Sequence, residues 1–97
     1  MTQKEMKCQL EERRKALESR FETMFKKQII NGWTCFARPD GSFFTLDYII
    51  PFEALVIGYA ENEQDVNLNR FEDGDLFYME DMDEETMYQD MLREIAQ

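Results

Sequence analysis

Apolar residues recur with a helical period along the first thirty positions. Met6, Leu10, Leu17, Phe21, Met24, Phe25 and Ile29 stand three, four and seven apart, which aligns them on one face. Thr2 followed by Glu5 fits a capping box, and Asn31-Gly32 offers a left-handed stop, so the pattern predicts a single helix over 2–30. Glu11 and Glu12 precede Arg14 and Lys15 by three or four places, the spacing of ion pairs on a helix surface. At about 1.5 Å per residue the helix would run on the order of 40 Å, longer than a domain of this size can cover. Its stripe is also thin between Lys7 and Ala16. The expectation is an N-terminal half that projects or pairs with a second copy through Met6, Leu10 and Leu17. The half from Leu17 docks on the core.

After Gly32 the period falls to two. Trp33, Cys35 and Ala37 alternate with Thr34, Phe36 and Arg38, then Pro39-Asp40-Gly41 marks a turn. Phe44, Leu46, Tyr48 and Ile50 alternate with Phe43, Thr45 and Asp47, which predicts a hairpin over 33–38 and 42–49. Pro51 ends it. The run 54–60, ALVIGYA, is apolar on both faces and reads as the central strand of a three-stranded antiparallel sheet. Beyond it, Asn62 and Asp65 fit a short helix to about Asn69, and Glu72-Asp73-Gly74-Asp75 reads as a turn. Residues 76–79, LFYM, form either a short edge strand or a loop touching the core. A final helix begins at Asp83 as cap and buries Tyr88, Met91, Leu92 and Ile95. The fold class is α+β, in one domain spanning 1–97.

Ninety-seven residues allow one modest core, and eight Phe, four Tyr and one Trp are too many for a disordered acidic chain. Cys8 and Cys35 form no CxxC or Cys-rich framework, so reduced thiols in a cytoplasmic protein are expected. The opening residues lack an apolar signal segment, and no apolar run approaches the roughly 18 residues of a membrane span.

Charge changes the picture most. Residues 1–38 carry nine Lys/Arg and five Glu, whereas residues 39–97 carry two against sixteen Asp/Glu. Between Glu61 and Glu85 eleven carboxylates face one cation, Arg70. A field of that sign repels nucleic acid and attracts basic protein surfaces. The chain has no His, no phosphate-binding glycine loop and four isolated glycines, which argues against an enzyme and for a binding protein without cofactor. Residues 69–80 match a calcium loop at Gly74 and Glu80, but Phe71 supplies no oxygen where a ligand is needed, so no metal is expected. The acidic surface is either a solubilising face or a mimic of nucleic-acid phosphates. In the second case the candidate partner-binding residues are Glu72, Asp73, Asp75, Glu80, Asp81, Asp83, Glu84 and Glu85. Phe77 and Tyr78, adjacent in an extended segment, must point opposite ways, so one is free to anchor a partner.

Residues 80–91, EDMDEETMYQDM, and 54–63, ALVIGYAENE, resemble type II-A anti-CRISPR proteins of phages and mobile elements. So does the order of a helix, a three-strand meander, a short helix and an acidic last helix. The resemblance implies a small acidic inhibitor in a bacterial cytoplasm that occupies the DNA-reading groove of Cas9. The long basic first helix and the EDGD turn depart from that pattern. The stretch from ALVIGYAENE to NRFEDGDLFYME also resembles small proteins of Firmicute mobile elements. The alternative function is a structural or regulatory oligomer with the first helix as a coiled-coil arm.

Overall fold

Five antiparallel strands, not three, form the sheet in the computed structural model, which describes residues 2–97. Helix α1 (Gln3–Phe21) leads into strands β1 (Lys26–Ile30), β2 (Trp33–Ala37) and β3 (Phe43–Ile49). A 3-10 turn, Ile50–Phe52, joins β3 to β4 (Ala54–Ala60); helix α2 (Glu63–Asn67), strand β5 (Glu72–Tyr78) and helix α3 (Glu84–Ile95) follow. Strand order equals chain order, β1-β2-β3-β4-β5, so the sheet is a meander with β1 and β5 at its edges.

Two expected elements are replaced. The predicted helix over 2–30 stops at Phe21, and residues 26–30 become β1. The Thr23 hydroxyl donates to the Arg20 carbonyl at 2.7 Å, a local bond that competes with further helix. More decisive is Asn31-Gly32. Both residues have positive φ, 50° and 82°, the conformation of a tight hairpin turn that pairs Ile30 with Trp33. The same dipeptide that can stop a helix here turns a strand, and β-branched Ile29-Ile30 favours the strand before it. At the other edge Glu72-Asp73-Gly74-Asp75 is no turn but the first half of β5. Its register against β4 slips between Gly58↔Asp73 and Val56↔Leu76, so Gly74-Asp75 forms a bulge opposite Ile57.

The sheet is covered unequally. One face carries α1 and α3, and its core joins Leu10, Leu17 and Phe21 with Phe36, Phe44, Leu46, Leu55, Ile57 and Phe77, closed by Met87, Tyr88, Met91 and Ile95. The other face bears a small cluster of Ile30, Cys35, Phe43, Ala60 and Val66, with Trp33 and Phe71 packed on it. Gly58 lies under Phe71, whose Cβ would touch any side chain placed there.

The first helix does not overhang. Nineteen residues extend about 28 Å, and Met6, Leu10 and Leu17, expected against a second copy, bury against the chain's own sheet and helix α3. Arginine bridges the thin stretch of its stripe. Arg14 lies over the Tyr48 ring at 5.2 Å, and Arg13 donates to the Met82 carbonyl at 3.2 Å. Of the apolar residues assigned to the lost helical stretch, Met24 and Ile29 are 61% and 64% exposed.

Leu10→Ala tests the docking of this helix. A fully buried leucine should cost about 2–5 kcal/mol on truncation, whereas Lys7→Ala should change stability by less than about 0.5 kcal/mol. Chemical denaturation of both variants checks this; equal, small effects would return the helix to solvent.

Candidate functional site

Strand β5 and the turn that follows it hold five of the eight acidic residues singled out in the sequence. Glu72, Asp73 and Asp75 are exposed on the strand, and Glu80 and Asp81 are exposed on the turn after it. None of the five makes an ion pair among the described residues. The aromatic pair splits as alternation requires: Phe77 is 6% exposed and belongs to the core, while Tyr78 is 38% exposed. Phe77 is thus removed from the candidate set.

The other three carboxylates serve α3. Asp83 is its cap, accepting the Thr86 N–H at 2.8 Å, and that bond holds its carboxyl below the usual range. Glu84 and Glu85 pair with Arg20, Glu84 at 3.7 Å, and the Arg20 guanidinium over the Tyr88 ring at 4.0 Å joins both helices. The hydrogen bond from Arg20 lowers the Glu85 carboxyl. These charges are already answered within the chain.

At the bulge a group enters that the sequence did not single out. Glu94, near the end of α3, accepts the Asp75 N–H at 2.7 Å and the Tyr59 hydroxyl proton. A side chain at Gly74 would strike its carboxylate, so the glycine makes room for this lock. Burial, with the bond to Glu94 second, pushes the Tyr59 phenol above its ordinary value. Arg38 lies over the same ring at 5.5 Å and donates to the Ile95 carbonyl at 2.9 Å. A cleft of about 720 Å³ opens here, with Glu61, Glu72, Asp73 and Asp75 about its mouth and Arg38 as its one cation. Tyr59 lies in the apolar run 54–60 and Glu94 in the final helix. Only pairing across distant elements brings them together, and no spacing rule in the sequence reports it.

A second groove, about 640 Å³, runs between β5 and α3, lined by Leu76, Phe77, Tyr78, Met82, Asp90, Arg93 and Glu94 among others. Arg93 is tied to Asp90. Residues 69–80 do not form a calcium loop; most lie in β5, and no metal-binding cluster of His, Cys, Asp or Glu occurs among the described residues. No helix among them is long and apolar enough to cross a membrane. No protein-family model, curated protein or solved structure matches the chain.

Two measurements follow. Asp83 and Glu85 have depressed carboxyls, so their stabilisation is present above the ordinary carboxylate range and lost as pH falls through it. The melting temperature should therefore drop between roughly pH 5 and 2, and Asp83→Ala should drop less over that window. An equal acid loss in the variant would count against the cap.

Cys35 is buried, and burial pushes its thiol up to about 11, whereas Cys8 is exposed. A thiol reagent at pH 8 should modify Cys8 quickly in the native protein and Cys35 only after unfolding. Rapid modification of both would mean that the second face of the sheet opens.

Proposed function

We propose that the chain is a non-enzymatic binding module whose acidic β5 edge docks on a basic protein surface in competition with nucleic acid. One observation carries the reading: five carboxylates, Glu72, Asp73, Asp75, Glu80 and Asp81, stand exposed and unpaired within ten residues of one edge. Asp83, Glu84 and Glu85 have internal work, and these five do not. Carried on a strand and a tight turn, they are held in place, so little ordering is lost on binding. Unpaired charges of one sign also speed encounter with an opposite surface and make it salt-sensitive. Tyr78, half-exposed in their midst, supplies an apolar anchor.

The partner class is a nucleic-acid-handling enzyme with a Lys/Arg groove, and Cas9 is the specific target to try first, because of the resemblance of residues 80–91 and 54–63. Plasmid cleavage by Cas9 should slow in the presence of the protein, beside a restriction endonuclease as control. Inhibition should weaken between 0.1 and 0.5 M salt, as screening shortens from about 10 Å to a few ångströms. Joint Asp73→Lys, Asp75→Lys and Asp81→Lys should abolish it without lowering the melting temperature. Tyr78→Ala should cost about 1–2 kcal/mol of affinity. Inhibition that survives the triple reversal would remove the β5 edge from the function.

A further inference from the structure

We infer that the edge of β5 takes up one further strand, an extended segment in which a Lys or Arg alternates with apolar residues, laid in the groove between β5 and α3. The inference rests on the binding reading above and specifies how the partner is held.

Backbone alternation identifies the open positions. Met79 N–H donates to the Glu53 carbonyl at 3.0 Å, so Met79 and, two residues back, Phe77 turn their backbone groups toward β4. Leu76 and Tyr78 then turn theirs outward. The Tyr78 carbonyl is already taken by the Asp81 N–H at 3.2 Å, and the Asp75 N–H by Glu94 at 2.7 Å. What stays open is a short window: the N–H and C=O of Leu76 and the N–H of Tyr78. An added strand satisfies all three, and Glu94 and the Met79–Asp81 turn close the window at either end.

The groove sets the side chains. Residues of the added strand opposite Leu76 and Tyr78 share their face, where Leu76 is half-buried and Tyr78 exposed, and apolar side chains suit them. The residue between them, opposite Phe77, points toward α3. There a long cationic side chain lays its stem on Met82 and carries its charge to Asp90 and Glu94. Asp73 and Asp75 stand at one end of the window and Glu80 and Asp81 at the other, so flanking cations are favoured too. Arg93 is the groove's one cation, and Asp90 already holds it.

The other edge shows why charge selects. The two-residue turn at Asn31-Gly32 makes Ile30–Trp33 a hydrogen-bonded pair, so Lys27 and Ile29 face outward along β1. That edge carries Lys26 and Lys27 and would reject a basic strand.

The probe is a fluorescein-labelled hexapeptide of alternating Val and Arg, followed by anisotropy against the intact protein. Methylating the Val amides removes the one peptide N–H that donates to the Leu76 carbonyl, sets a methyl against that edge and leaves charge unchanged; methylating the Arg amides touches only outward groups. The Val-methylated peptide should bind at least about fivefold more weakly, the loss expected for one net hydrogen bond, and the Arg-methylated one nearly as well as the parent. Amide hydrogen exchange at Leu76 and Tyr78 should slow on binding. Equal, salt-sensitive binding of all three peptides would overturn strand addition while leaving the acidic surface as a docking face. No binding by any would overturn it too, and the cleavage assay would decide the broader reading separately. Self-association through β1 of a second copy, seen as a mass increase in sedimentation that the peptide fails to reverse, would also overturn it.

Discussion

Phe21 is the contact on which the arrangement depends. It is the last residue of α1, fully buried, with ring centroids of Phe36, Phe44 and Tyr88 between 5.0 and 5.9 Å away and Phe25 at 6.2 Å. Through it one ring touches the first helix, two strands, the chain leaving the helix and the last helix. Edge-on and tilted rings of this kind add about 0.5–1.5 kcal/mol per pair beyond the area they bury. Fixing Phe21 fixes where α1 ends and where α3 lies. Those two positions decide which strands are left at the edges and what flanks them.

That constraint gives the charge separation its shape. Arg20, next to Phe21, draws Glu84 and Glu85 onto the helical layer, and Arg38 sits among the carboxylates around Tyr59. Positive charge from residues 1–38 thereby neutralises part of the acidic region. Of the rest, five stand on β5 and the turn beyond it, and Glu61 and Glu63 stand exposed at the start of α2. Acidic side chains on an edge strand also discourage like-with-like pairing of two such edges, so the residues proposed above to meet a basic partner would guard the same edge against its own kind. Solubility and recognition need not be competing accounts of one set of carboxylates.

Much of the fold was legible along the chain, and its failures have definite causes. The apolar run 54–60, the turn at Pro39-Asp40-Gly41, the Asn62 cap and the helix begun by Asp83 are all found where local pattern places them. Helix 2–30 failed because Phe21, Phe25 and Ile29 keep a spacing of four although the helix has ended; Phe25 folds back onto Phe44 from a turn. The EDGD segment failed because turn residues also make bulges, and only the partner strand tells the two apart. Of the candidate site, the acidic edge was visible as composition. The split between free and answered carboxylates was not, since it depends on Arg20, which lies more than sixty positions upstream, and on Glu94 reaching across to Tyr59.

The sequential order of the strands bears on how the protein is made. Each strand pairs with its neighbour in sequence, so the sheet can close progressively as the chain leaves the ribosome, with little loop entropy to overcome. The ring that holds the layers together follows another schedule. Phe21 emerges 67 residues before Tyr88, which at about 5–20 residues per second is a delay of roughly 3–13 s. For that interval the aromatic face of the sheet has only α1 over it. The nascent chain is at its stickiest just before its last helix arrives, and the acidic stretch that precedes α3 is then the part nearest the exit.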